Sequence, residues 1–325
     1  MIRIHGRLSL LAAMTLLSGC ASLTGIGPED AFSETPPPIE LTDVPFHPQE
    51  AYQCGPAALA EMLGWSGVEV TPEELEPSLF IPQRKGTLQT ELVAQTRSNG
   101  RVPYVIDGEF DAIIAELQAG NPVLVFQNLS LRWWPVWHYA VVVGYDPDET
   151  AFILRSGAEK RHTTSLDRFR RTWDRGGRWA MVVTPPDRPP ATATDMRWLR
   201  AAADLEQTGH LHTAEHAFHT GRERWPEQAG FHLGLINVRN TNGNLQGAEA
   251  AARRGLRETP GNRGVLWNNL ALVLAAQSRW DEAEKAALEA VAAGGRFEEA
   301  FAQTLKRVRC RGDSNCLRAL EDGHG

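Results

Sequence analysis

An α/β (α+β) domain followed by an all-α repeat domain is the architecture that three features of this chain predict. Between residues 41 and 184, short helix-forming segments alternate with β-rich runs. Pro185-Pro186-Asp187-Arg188-Pro189-Pro190 then interrupts both patterns. Beyond it the chain turns alanine-rich, with helical spacing and a repeat of about thirty-four residues. A length of 325 residues with 42% hydrophobic content supports two modest cores. The formal net charge of −7 and the scarcity of lysine leave no broad basic surface, which argues against nucleic-acid partners.

The amino-terminal residues 1–19 read as an export signal, with Arg3 and Arg7 ahead of an apolar run from Leu8 to Leu17 that is short for a bilayer span. Leu17-Ser18-Gly19-Cys20 resembles a bacterial lipobox, which implies cleavage before Cys20 and lipidation of that cysteine. The absence of an aspartate after Cys20 implies, by the same resemblance, an outer-membrane lipoprotein facing the periplasm. Residues 20–40 are polar, end in Pro36-Pro37-Pro38, and are expected to form a disordered tether. In such an oxidising compartment Cys310 and Cys316 are expected to form a disulfide; a zinc site there lacks further ligands at suitable spacing.

Residues 49–63 carry the first chemical signal. Cys54 is followed by Gly55, by Pro56 at a position suited to the first helical turn, and by helix-favouring Ala57, Ala58, Leu59 and Ala60. A cysteine at a helix N-terminus meets unpaired amides and the positive end of the dipole, which favour the thiolate. Gln49, on the incoming loop, carries an amide able to donate to an oxyanion beside the sulfur. A buried thiol beginning a core helix is the alternative.

Further along, Thr71-Pro-Glu-Glu starts a helix, as does a periodic segment near Thr87. Val102 to Ile106 is a short strand, Phe110 to Leu117 a helix, and Pro122 to Gln127 a buried strand. His138 opens the apolar run Tyr139-Ala-Val-Val-Val-Gly-Tyr145, which turns at Asp146-Pro147-Asp148 and resumes at Ala151-Phe-Ile-Leu154, a hairpin with an imidazole at its entrance. That imidazole serves either as a core residue or as a base for Cys54.

Val44-Pro-Phe-His-Pro-Gln49, Gln53-Cys-Gly-Pro-Ala-Ala58 and His138-Tyr-Ala-Val-Val-Val-Gly-Tyr145 together resemble the papain-like cysteine peptidases of the bacteriocin-processing, double-glycine-leader type, peptidase family C-thirty-nine. The resemblance covers residues 41–184. It implies a thiolate–imidazolium pair of Cys54 and His138, Gln49 as an oxyanion donor, and no cofactor or metal. Where the family carries an aspartate that orients the imidazole, this chain has Ser156, which accepts a hydrogen bond but brings no charge. Asp146, Asp148 and Asp167 are the substitute acids. Tyr52, Gly55 and Trp137 are the candidate cleft residues, and the run Arg132-Trp133-Trp134-Pro135-Val136-Trp137 is either a cleft wall or packing beneath the strand. No Walker A sequence or spanning helix is present to suggest the fused exporters of that family. The arginine-rich residues 155–178 read as a solvated face, with an anionic ligand or lipid headgroup as the alternative.

Residues 185–194 form a stiff proline-rich linker, and residues 195–325 resemble tetratricopeptide repeats. Ala214, Ala248 and Ala283 fall in register, as do Gly209, Gly243 and Ser278, while Trp198, Phe218 and Trp267 take large-residue positions. Three helix pairs imply a groove for a protein partner. His212, His216 and His219 share a helical face and are expected to face solvent. Together these readings predict a membrane-anchored periplasmic cysteine peptidase acting on a peptide or protein substrate. A catalytically silent peptide-binding scaffold and a thiol acyltransferase are the alternatives.

Overall fold

The structure, a computed structural model, describes residues 31–48, 53–84, 86–261, 263–313 and 315–316. Gln49, Tyr52 and Cys20, all named above, lie outside the described residues.

The N-terminal domain is built on one antiparallel seven-stranded sheet. Its strands are β1 (Ile39–Glu40), β2 (Val102–Val105), β3 (Val123–Asn128), β4 (Trp137–Asp146), β5 (Ala151–Ser156), β6 (Glu159–Ser165) and β7 (Ala180–Thr184), in the order β2-β7-β3-β4-β5-β6. Strand β1 pairs with β4 at Gly144 and Tyr145, beyond the stretch that β3 covers. Alternation along β4 divides the core. Tyr139, Val141 and Val143 meet helix α1 (Cys54–Trp65), α2 (Pro72–Leu79) and α3 (Gln89–Ser98) through Leu59, Met62, Leu63, Leu75 and Leu92. Ala140 and Val142 lie in a second cluster with Ile113 of α4 (Phe110–Gln118) and Phe169 and Trp173 of α5 (Leu166–Arg175). Thr71 and Glu74 close the capping box that starts α2.

Two sequence expectations need correction. The tether does not extend to Glu40: Phe32 is buried against Phe110, Tyr145 and Phe152, so the packed chain begins before the prolines. The linker is pinned to the first domain by a buried side chain. Buried Glu116 accepts from the backbone N–H groups of Ala191 and Thr192 and from the Thr192 hydroxyl, and its other donor is Asn121. Residues 155–178 are not simply a solvated face: they form edge strand β6 and α5, and α5 buries Phe169 and Trp173 beneath its arginines. Polar residues dominate an edge strand because only part of it meets the core, which hid β6 from a hydrophobic reading.

The all-α domain consists of α6 (Asp195–Gln207), α7 (Leu211–Arg224), α8 (Ala229–Thr241), α9 (Leu245–Glu258), α10 (Arg263–Ala276), α11 (Trp280–Ala293) and α12 (Glu298–Arg309). Ala214, Ala248 and Ala283 are all fully buried where paired helices touch. Gly209, Gly243 and Ser278 all adopt left-handed backbone, with φ of 84°, 74° and 61°, one residue type short of a strict glycine repeat. Helix α12 adds a cap that contributes Phe301 and Val308, and a disulfide joins Cys310 to Cys316 behind it. The histidines His212 and His216 are exposed, and no metal-holding group occurs among the described residues.

The two domains are joined by more than the linker. Trp198 is buried near Tyr104 of β2 and donates to the Ala217 carbonyl, and Arg97 pairs with Asp204 at 3.0 Å. Glu116→Ala leaves four donors without their buried acceptor. It is expected to lower stability by about 3 kcal/mol and to split a single calorimetric melt into two transitions.

Candidate active site

Helix α1 begins at Cys54 because Gln53 ends the incoming loop and Pro56 is preorganised for the first turn. No side chain caps this helix, and its first turn carries no acid. The amides that a cap would occupy are therefore available to the sulfur. The backbone amides of Tyr139, Gly55 and Cys54 itself bear on the Cys54 thiol and pull its pKa down. Tyr139 lies beyond the β4–β5 pairing, which starts at Val141, so its amide is not used by that ladder. Tyr139 is held in turn by its hydroxyl, which donates to the Thr87 carbonyl at 3.2 Å.

His138 precedes Tyr139 and follows the parity of Ala140, toward α5. Its Nε2 lies 2.9 Å from Ser156 Oγ at the end of β5. Cys54 thus packs on the Tyr139 side of the strand, and the His138 ring follows the opposite parity, toward α5. A cleft of about 260 Å³ opens on the imidazole side, lined by His138, Ser156, Glu159, His162, Arg168 and Thr172 among others; Cys54 is not in its lining.

Burial decides the charge state. It pushes the Cys54 thiol up, against the pull of the three amides, and pushes His138 down to about 4, with His162 adding like-charge repulsion. Both shifts favour the uncharged forms, so burial works against the depression of the thiol expected from the helix N-terminus.

The substitute acids do not take the missing aspartate's place. Asp146 accepts from the amides of Asp148 and Glu149 and faces Arg161, and Asp167 faces Arg170 and Arg171. The carboxylate that does line the cleft is Glu159, paired with His162 Nδ1 at 3.1 Å. Neither was singled out from the sequence, where both belonged to an apparently solvated run. Gly55 is no cleft residue: it is buried, and a side chain there would collide with the Thr87 hydroxyl. Trp137 is half exposed and stacks on Phe126 at 5.1 Å, outside the cleft lining. Trp133 and Trp134 stand in solvent, which rules out packing beneath the strand.

A buried pair organises the loop that leads to Cys54. Arg155, 1% exposed and not solvated as expected, donates to the carbonyls of Thr42, Val44 and Lys160. Glu61 on α1 accepts from the His47 amide at 3.0 Å, while its Oε2 has no partner. Burial raises the Glu61 carboxyl to about 8, and the His47 amide and Arg155 pull it back only in part.

Residues 41–181 match the model of the Peptidase_C39 like family, and residues 199–263 match a Tetratricopeptide repeat model. No curated protein matches the chain. Among solved structures the chain is similar to a putative C39-like peptidase from Bacillus anthracis, at 17% identity and a TM-score of 0.38, over 46% of this chain and 98% of that one. It is also similar to the peptidase domain of Streptococcus ComA, a bi-functional ABC transporter involved in a quorum sensing pathway, at 21% identity and a TM-score of 0.35, over 44% of this chain and 98% of that one. The first match falls within the α/β domain and the second spans α6 to α9 of the all-α domain.

Because the folded chain holds the Glu61 proton more tightly than the unfolded chain does, its contribution to stability is complete below the ordinary value of 4.5 and is lost as pH rises through about 8. Glu61→Gln keeps the acceptor for His47 and is expected to remove a loss of about 4 kcal/mol across that window, read by urea denaturation at several pH values.

Proposed function

We propose that this chain is a cysteine peptidase, held at the cell envelope by lipid on Cys20, whose repeat region recruits a protein substrate or partner. The observation that carries this reading is the placement of Cys54 at the uncapped start of α1, packed with Tyr139, while the preceding residue His138 lies 2.9 Å from Ser156.

In this mechanism substrate binding brings neutral His138 within reach of Cys54, and the imidazole takes the thiol proton as the sulfur attacks the scissile carbonyl carbon, so the ion pair forms during the reaction and not at rest. The amides around the sulfur favour the thiolate as it develops, and Gln49 donates to the oxyanion. Imidazolium then protonates the leaving amine, giving a thioester on Cys54. His138 next deprotonates water, which attacks the thioester and releases the acid. Ser156 holds the ring but adds no charge to stabilise imidazolium, so proton transfer to His138 is weaker than in an enzyme with a carboxylate there.

That same lack of charge favours a second reading, a silent peptide-binding scaffold of the envelope. Incubation with a proteome-derived peptide library, followed by mass spectrometry, separates the two. Hydrolysis gives two products whose masses sum to substrate plus water, whereas transfer to an amine gives an adduct. The peptidase reading predicts that Cys54→Ala lowers the rate about 10³-fold or more and that the rate falls as pH drops through about 4, where His138 takes up its proton. Ser156→Asp is expected to raise the His138 pKa and move that acid limb to higher pH, with a faster maximal rate. No cleavage by either protein across the library would favour the scaffold.

A further inference from the structure

Of the large apolar side chains that stand exposed, Leu129, Leu131, Trp133, Trp134, Val136 and Trp137 all lie in the hairpin that joins β3 to β4. Trp133 is 77% exposed and Trp134 69%. The hairpin is a built element. Leu131 and Trp134 pair across its tip, the Leu129 amide donates to the Val136 carbonyl at 2.8 Å, and buried Asn128 accepts from the amides of Ser130 and Val136 at 3.0 Å each. These bonds satisfy the backbone internally and leave the side chains to project into water, an arrangement that has a use only if something covers them.

The chemistry of the patch selects the occupant. Its one charged residue is Arg132, and Arg175 of α5 donates to the Asn128 carbonyl at the hairpin's base. Helix α5 carries four arginines against two aspartates, in a chain whose formal charge is −7. Indoles and leucines on one tip, flanked by guanidinium groups, suit the interface of an anionic bilayer, where the rings sit among headgroups and the cations meet phosphates.

Reach is compatible. The packed chain starts near Phe32, against Tyr145 at the far end of β4 from Trp137. Trp137 and Tyr145 are about 27 Å apart along the strand, and the stretch from Cys20 to Phe32 extends to about 40 Å. A lipid on Cys20 and the hairpin can therefore occupy one surface.

We propose that the β3–β4 hairpin is a membrane-docking element that inserts Trp133, Trp134 and Leu131 into the headgroup region of an anionic bilayer and so presents the site at His138 to polypeptide held at that surface. The proposal rests on the envelope-anchored reading for its biological setting but is tested without it. Residues 21–325, which keep every described residue and carry no lipid, are mixed with vesicles of phosphatidylethanolamine containing phosphatidylglycerol. Binding is read by co-sedimentation and by quenching of tryptophan fluorescence with brominated acyl chains. The expected result is partition with quenching, reduced at least about tenfold in Trp133→Ser/Trp134→Ser at an unchanged melting temperature. A chain that stays in the supernatant overturns the proposal, as does equal partition of the double variant. Tryptophan burial that follows protein concentration or added peptide, without vesicles, also overturns it and assigns the patch to a second copy or to a peptide. Metabolic lipid labelling of Cys20 in cells tests the anchor separately, so either can fail alone.

Discussion

The peptide between His138 and Tyr139 is the joint on which the site depends. Its amide lies outside the β4–β5 ladder and bears on the Cys54 thiol, while strand alternation sends its two side chains to opposite faces of the sheet. Tyr139 is clamped among the α1-side residues and to Thr87, so the amide is not free to drift. His138, on the other parity, meets Ser156 only because β5 runs antiparallel beside β4 and ends there. A slip of one residue in that register would exchange the faces and separate every group at once.

Burial supplies rigidity and sets the electrostatic cost. The forces that seat Cys54 and His138 in a packed environment also disfavour their charged forms. The same trade recurs at Arg155 and Glu61, which hold residues 42–47 by bonds to backbone, one as a buried cation and the other as a carboxyl that favours its proton. Polar side chains that grip backbone are how this domain fixes its irregular segments, and Glu116 does so for the linker.

Much of this was legible in the sequence because periodicity and spacing are local. The β4–β5 hairpin, the helix beginning at Cys54, the position of Ser156 and the in-register alanines of the repeats all follow from patterns within one element or one repeat. What was hidden depends on contacts between distant parts of the chain. Arg155 sits in a run of charges and reads as solvent-facing, yet carbonyls more than a hundred residues away enclose it. Phe32 belongs to a polar stretch, and its ring finds Phe110, Tyr145 and Phe152 only after folding. Glu159 and His162 face the imidazole because β6 returns along β5, which no local pattern announces. The upward push on the thiol is hidden for a related reason: dipole and amides are visible from the helix start, whereas burial is a property of the whole core.

Covalent labelling of Cys54 by a peptidyl acyloxymethyl ketone near neutral pH, followed by peptide mass spectrometry, tests the central claim most directly. If Cys54 and His138 act as one unit across the 138–139 peptide, the intact protein is labelled readily and His138→Ala is slowed by about 10²-fold or more. Equal labelling of the two proteins would contradict the account, since it would make Cys54 a passive thiol that happens to lie beside a histidine.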